Sequence, residues 1–264
     1  MSALIELYRD QLLLFVLVLT RISTLIMTAP IFGSRNVPIR IRAFLAIGFA
    51  LIITPIHFDQ ARDMPSDLVN LSVLAAREAV LGLALGLAVM ILFTGMHLTG
   101  QVLGQMSGMA LADTYDPTFD ASVPVFTQLL DAVTLSVFIA IGGHRQVMAA
   151  MLDTFRWRPP GVRDLPSGMV DTLTEVTTES FVVGIRAGAP VMVALFMAVL
   201  ILGLISRTLP QLNVIAVGFS LNSMVMMLTL AASMSALAWV VQDHADTVIS
   251  TVRDAIILDV PPPY

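Results

Sequence analysis

Long apolar runs alternate with short polar breaks from one end of the chain to the other. The first run covers about 11–32, with Arg21 in its middle and Pro30 near its end. A polar linker from Gly33 to Arg42 follows, then a second run over about 43–58 that closes at Pro55 and His57. A turn rich in Asp59, Arg62, Asp63, Pro65 and Asp67 comes next, with Ser66 expected as a helix N-cap. Further runs cover about 125–152, 181–206 and 211–241, the last two pinched apart at Arg207–Gln211. The loop 153–180 holds Arg156, Arg158, the Pro159-Pro160-Gly161 turn and Arg163. The stretch over about 243–258 predicts an amphipathic surface helix, stopped by Pro261-Pro262-Pro263. Apolar runs of about 18 residues or more are the mark of membrane spans. The pattern predicts an all-α membrane protein with about six hydrophobic helical segments, some broken or forming hairpins. No repeat or interdomain linker interrupts it, so a single domain is expected.

The remaining segment does not fit a simple span. From about 67 to 109 nothing strongly breaks a helix. At about 1.5 Å per residue such a helix outreaches a hydrocarbon core of about 30 Å, so it must bend, break or project from the bilayer. Residues 110–124 then read as non-helical, with Asp113, Asp116-Pro117, Asp120 and Pro124.

Composition strengthens the membrane reading. Apolar residues make up 57% of 264, charged ones 12%, and mean hydropathy is +0.87. A soluble domain carries about a quarter charged residues. The net charge of −5 brings no basic patch for nucleic acid, and every cation other than His is Arg. Cys is absent, which excludes disulfides, thiolate metal sites and a cysteine nucleophile. Glu6 and Asp10 dilute the N-terminal region where a cleavable leader would be basic, so the first run is expected to stay as a helix. Arg asymmetry between loops should orient the spans. With six spans, Arg9, Arg62, Arg156, Arg158, Arg163 and Arg253 fall on one side, and Arg35, Arg40, Arg42 and Arg207 on the other. That bias decides no orientation.

Charges inside the runs are the first candidate chemistry. Arg21, Arg77, Glu78, Asp131, Arg186 and Arg207 sit within or at the margins of apolar segments. A charge at the bilayer centre costs about 2.5–3.5 kcal/mol even on lenient scales, so each should face a partner or a wet cavity. Arg77 and Glu78 are adjacent and cannot share a helical face, so each needs a partner elsewhere. Pairing between helices is the plain reading. A proton path would need carboxylates spaced along a route, and only Glu78 and Asp131 qualify. Small residues recur at four-residue spacing in Gly82 and Gly86, in Gly184 and Gly188, and in Gly100, Gly104 and Gly108. That spacing lets another backbone approach one face. The last set leads into the proline-broken stretch, and irregular backbone at membrane depth survives only inside protein or along a cavity. A movable pore loop is therefore expected there. Met106 and Met109 flank Gly108, and Met is a deformable filler suited to sealing around a passing chain. For most of the 16 Met residues, core filling suffices.

Enzyme motifs are incomplete. Tyr115-Asp116 lacks the second aspartate motif of an intramembrane aspartyl protease, and H-E-x-x-H does not occur. His57, His97, His144 and His244 lack metal-ligand spacing, and Ser107-Gly108 lacks the rest of G-x-S-x-G. A small-solute secondary transporter would account for the breaks, but it should carry a paired repeat.

Taken in order, several blocks resemble the FliR family of flagellar export-gate proteins and, more distantly, its injectisome counterpart, SctT/YscT. They are Arg21 with Ala29-Pro30, Val37-Pro38 with Arg40, Pro55, Arg77-Glu78 with Gly82 and Gly86, Gly100, and Asp116-Pro117. Gly142-Gly143-His144, Phe181 with Gly184 and Pro190, Arg207 with Pro210-Gln211-Leu212-Asn213, and Val217-Gly218-Phe219 follow. The match runs from about 15 to about 225 in register. Ser220 stands where the family usually has Pro, and Arg156-Trp157-Arg158-Pro159-Pro160-Gly161 is more basic than usual.

The resemblance implies a non-enzymatic structural and gating subunit of the flagellar type III protein-export gate in the bacterial inner membrane. One copy would join FliP and FliQ in a right-handed helical assembly, with FlhB and FlhA as further partners and unfolded flagellar proteins as cargo. About 1–180 would be FliP-like, and about 181–264 a FliQ-like hairpin with an amphipathic tail. The family's plug loop maps onto about Gly104–Ala121, which includes Met106, Gly108, Met109, Asp113, Tyr115, Asp116 and Pro117. Arg21, Arg77, Glu78, Gly82, Gly86, Gly184, Arg207, Pro210, Gln211 and Asn213 would serve helix packing or buried pairing. No cofactor, metal or nucleotide site is implied, since a separate ATPase and the proton-motive force drive export. Apolar faces would be buried against sister subunits as well as lipid.

Overall fold

A computed structural model of the chain describes residues 2–33, 37–63, 67–108, 125–161, 165–166, 168–208 and 214–257. Among these every regular element is helical. Helix α1 spans Ser2–Thr28 and is followed by a single turn at Pro30–Gly33; α2 spans Ile39–Ile53 and tightens into a 3₁₀ stretch over Thr54–Asp63. Helix α3 is Leu68–Met106, α4 Val125–Ala140 and α5 Gly143–Trp157. Helix α6 is Met169–Thr208 and α7 Val214–Ile257. Five helices are long and apolar enough to cross a membrane, and a sixth span results if α4 and α5 count as one broken crossing.

The overlong third segment is a single helix. It ends where Gly108 takes φ +83, a left-handed conformation that stops helices at little cost only for glycine. The segment over 125–152 is broken at Gly142, φ +77, whose carbonyl accepts from the N–H groups of Arg145 and Gln146 at 2.8 and 3.2 Å to start α5. Two boundaries differ from the hydropathy reading. Helix α6 begins at Met169 instead of about 181, because the polar residues of its first turns point outward while Val176 and Ser180 are buried. Nor is the C-terminal stretch a separate surface helix. Gln242 and Asp243 are exposed and α7 continues without a break past them, with Ala245, Val248, Ile249, Val252 and Ile256 buried at helical spacing.

The chain forms two compact units. Unit 1 comprises Met1–Ile91, Gly142–Val176 and Asp246–Tyr264, and unit 2 comprises Leu92–Ile141 and Thr177–Ala245. In unit 1 the buried stripe of α1, Leu14, Leu17, Val18, Ile22 and Leu25, recurs every three or four residues. It is accompanied by Leu81, Leu85 and Ala88 of α3 and Met151 and Phe155 of α5, all buried. Unit 2 packs Met96 and Leu103 of α3, Phe126 and Leu130 of α4, Val191 and Leu195 of α6, and Met226, Leu230 and Val241 of α7 into one core.

Glycines set how closely these helices approach. In unit 1 a Cβ at Gly82 would collide with the Arg21 carbonyl and the Thr24 hydroxyl, and one at Gly86 with the Thr28 hydroxyl. Both hydroxyls donate to carbonyls of their own helix, Thr24 to Thr20 at 3.0 Å and Thr28 to Thr24 at 2.7 Å. The contact is therefore made without leaving a polar group unpaired. In unit 2, Gly184 of α6 lies on Gly95 and Thr99 of α3, and Gly100 of α3 lies on Thr127 of α4.

Gly82→Ala should force α1 and α3 apart at a backbone carbonyl, costing about 1–3 kcal/mol as overpacking does. Gly48→Ala, where nothing lies within 4 Å, should be neutral or gain up to about 1 kcal/mol of helix propensity. Thermal unfolding of the two purified variants measures the contrast.

Candidate functional site

Unit 1 is organised around one buried charge pair. Arg21 is carried on α1 among Leu17, Val18, Ile22 and Leu25, and its side chain is 1% exposed. Its Nε donates to Oε2 of Glu78 on α3 at 2.6 Å, and Glu78 is equally buried. The same guanidinium donates through Nη1 to the carbonyl of Arg158 at 3.0 Å and, over a longer 3.4 Å, to the Thr154 hydroxyl. It lies 4.3 Å from the centroid of the Phe155 ring, a favourable cation–π distance. Glu78 Oε1 accepts from the backbone N–H of Gly161 at 3.1 Å. Arg158 in turn donates through Nε to the carbonyl of Ile256 at 2.7 Å, which ties the C-terminal turns of α7 to the same node.

Helix α1, helix α3, the end of α5 with its following turn, and the end of α7 thus meet at one ion pair. The Pro159-Pro160-Gly161 turn after α5 brings the Gly161 N–H to the carboxylate. Every polar contact here serves to satisfy a charge taken out of water. The arrangement holds helices together and leaves neither charge free to bind a ligand.

Unit 2 contains a second polar group. His97 Nδ1 and Asp131 Oδ2 are 2.8 Å apart, with side chains 34% and 40% exposed. The Gln101 amide nitrogen is 3.1 Å from His97 Nε2. An amide nitrogen only donates, so Nε2 accepts and Nδ1 donates to the carboxylate. Ser180 and His244 form a third group, Oγ to Nε2 at 2.9 Å, at 2% and 4% exposure. His244 Nδ1 meets no hydrogen-bond partner among the described residues, so the orienting carboxylate of a serine triad is missing, and burial shuts out a substrate. Among the described residues no cluster of three or more His, Cys, Asp or Glu side chains is placed to hold a metal.

Of the residues singled out from sequence, Arg21 and Glu78 are brought together, and Gly82 and Gly86 lie beside them in the α1–α3 contact. Arg77 is half-buried and is not among the groups that meet this pair in the described contacts. Gly184 lies at the α3–α6 contact, and Arg207 is exposed in the last turn of α6, where a cation complements the helix C-terminus. Gly104 is buried in α3, Met106 ends that helix against the unit 2 core, and Gly108 is its left-handed stop. Met109, Asp113, Tyr115, Asp116, Pro117, Pro210, Gln211 and Asn213 lie outside the described residues. Sequence reasoning missed Thr154, Phe155, Arg158 and Gly161 as partners of the pair. The unusually basic run ending in Pro-Pro-Gly was the available signal, but nothing local aims it at Glu78.

The fold and these sites define an integral membrane protein of overlong and broken helices whose internal charges bind its own elements together. The family described as bacterial export proteins, family 1, matches residues 12–248. The flagellar biosynthetic protein FliR of Escherichia coli K12 is 31% identical over 220 residues, covering 83% of this chain and 84% of that protein. FliR of Bacillus subtilis 168 is 29% identical over 265 residues, covering 98% of each. FliR of Caulobacter vibrioides is 26% identical over 235 residues, covering 89% and 93%. The chain belongs to the FliR family of bacterial export proteins and is a membrane-embedded subunit of the flagellar type III export gate.

Replacing Glu78 by Ala should strand Arg21 in the interior and cost about 3–5 kcal/mol, as breaking one side of a buried pair does. Replacing both, Arg21→Leu with Glu78→Leu, should cost less than Glu78→Ala alone, since no unpaired charge remains. Melting temperatures of the single and double variants in detergent measure the difference.

Proposed function

We propose that this chain gates the export path with the stretch Gly104–Ala121, which acts as a plug that is closed at rest and displaced by cargo. The observation that carries the reading is the left-handed Gly108 at the end of α3. A helix of 39 residues stops there, at a residue that turns the chain sharply without strain, just ahead of a stretch with two prolines and three aspartates. Gly104 and Gly100, one and two turns earlier, are both buried. The plug would thus be hinged on a rigid, tightly packed helix.

In this reading a single copy joins FliP and FliQ in the inner membrane, with FlhB and FlhA as neighbours and unfolded flagellar proteins as cargo. About 1–180 acts as the FliP-like part and about 181–264 as the FliQ-like hairpin. Gating needs no chemistry from this chain, in keeping with a buried ion pair whose two charges face each other and further protein groups.

Deleting 106–120 should leave the complex assembled, with FliP and FliQ still co-purifying, while the cell becomes permeable to small ions. Unchanged conductance in an assembled complex would overturn the plug assignment. Failure of FliP and FliQ to co-purify with the intact chain would overturn the partner assignment.

A further inference from the structure

Unit 2 has two unlike exposed faces. Helices α6 and α7 expose Val193, Leu200, Met224 and Leu228, side chains suited to lipid tails or apolar neighbours. Helices α3 and α4 differ over the part of each that adjoins the 109–124 stretch. On α3, His97, Gln101 and Gln105 follow one another at four-residue spacing and so share a stripe, half-exposed to exposed. On α4, exposed Gln128 and half-exposed Asp131, three residues apart, share one face. The two stripes adjoin, because His97 bonds Asp131 and Gly100 lies on Thr127, which fixes an antiparallel register. Farther along the same two helices, Phe93 packs against Phe138.

We propose that this seam, His97, Gln101, Gln105, Gln128 and Asp131, lines the water-filled path of the gate and takes an unfolded, hydrated polypeptide as its occupant. The inference rests on the export-gate function and adds to it the face of the chain that cargo meets. A carboxylate and an imidazole that are about one-third exposed are costly against hydrocarbon and so require water or polar groups beside them. His97, Gln101 and Asp131 already bond one another, so the seam keeps its shape without an outside partner. Each glutamine amide both donates and accepts, as does every residue of a passing backbone. Hydrogen bonds of that kind are exchanged with water one at a time and carry no sequence preference. The Asp131 carboxylate accepts from the imidazole N–H, so its charge is hydrogen-bonded within the seam. It also lies on the two helices that lead into and out of the proposed plug, where an occupant must pass once the plug is displaced.

The chain contains no cysteine, so single-cysteine variants report one position each. Gln101→Cys, Gln105→Cys and Gln128→Cys are compared with Val193→Cys and Leu200→Cys in the assembled, detergent-purified gate, using a small, permanently charged methanethiosulfonate. The seam positions should label at least about tenfold faster, because that reagent attacks only a thiolate in contact with water. Two of the three seam positions suffice if one variant fails to assemble. Equal or slower labelling at the seam would overturn the proposal, as would bifunctional cross-linking that joins seam cysteines to a sister subunit and so makes the seam a protein–protein contact. A strain lacking this chain that still exports flagellin would instead remove the gate function itself. A slow-labelling seam in a strain that exports normally would remove only the inference.

Discussion

A charge that cannot be left alone in a water-poor interior organises unit 1. Arg21 sits in the middle of an apolar helix, where its guanidinium has to be neutralised and its donors occupied. Glu78 supplies the charge, the Arg158 carbonyl and the Thr154 hydroxyl supply acceptors, and the Phe155 ring covers the cation. Because Arg21 stands on α1 and its partners on α3 and at the end of α5, satisfying one side chain fixes three helices in register. Arg158 then extends the constraint to the last turns of α7 through Ile256. Inside hydrocarbon, apolar contacts discriminate poorly between helices, since lipid tails are as apolar as leucine. A polar node with one acceptable arrangement provides discrimination that packing alone lacks.

Close approach is the second constraint, and it works with the first. Arg21 and Glu78 can meet at 2.6 Å because Gly82, one turn beyond Glu78, lets the α3 backbone rest on the Arg21 carbonyl. Gly86 repeats the contact one turn farther on, against Thr28. The same device recurs in unit 2, where Gly184 and Gly95 remove side chains from the α3–α6 contact. For an export gate such spacing has a mechanical use. Helices locked by backbone contact form a stiff frame.

Function follows from how little of this chemistry is available to ligands. The Arg21–Glu78 pair and the Ser180–His244 contact are both buried. Large apolar side chains are exposed along α6 and α7, as a protein among lipids and sister chains requires, while α3 and α4 expose the glutamine-rich seam. The left-handed Gly108 marks where the rigid helix gives way to the stretch that the gating reading needs.

The residues alone determined the membrane class, the number of helical segments, the need of Arg21 and Glu78 for partners, and the helix faces that glycine makes smooth. All of these are local properties, set by hydropathy over about twenty residues or by four-residue spacing. The continuity of α7 through Gln242-Asp243 and of α6 before Phe181 is not legible in the sequence for the same reason. A polar residue looks like a break in a one-dimensional profile, yet a helix with a buried stripe simply turns it outward. Only the tertiary structure decided which groups close each pair. Arg21 reaches Glu78 across 57 positions and Arg158 across 137, and Arg158 reaches Ile256 across 98. His97, which spacing alone left unassigned, meets Asp131 across 34. No local pattern encodes such distances, because a buried charge specifies the chemistry of its partner and the packing of the other helices determines which residue is within reach.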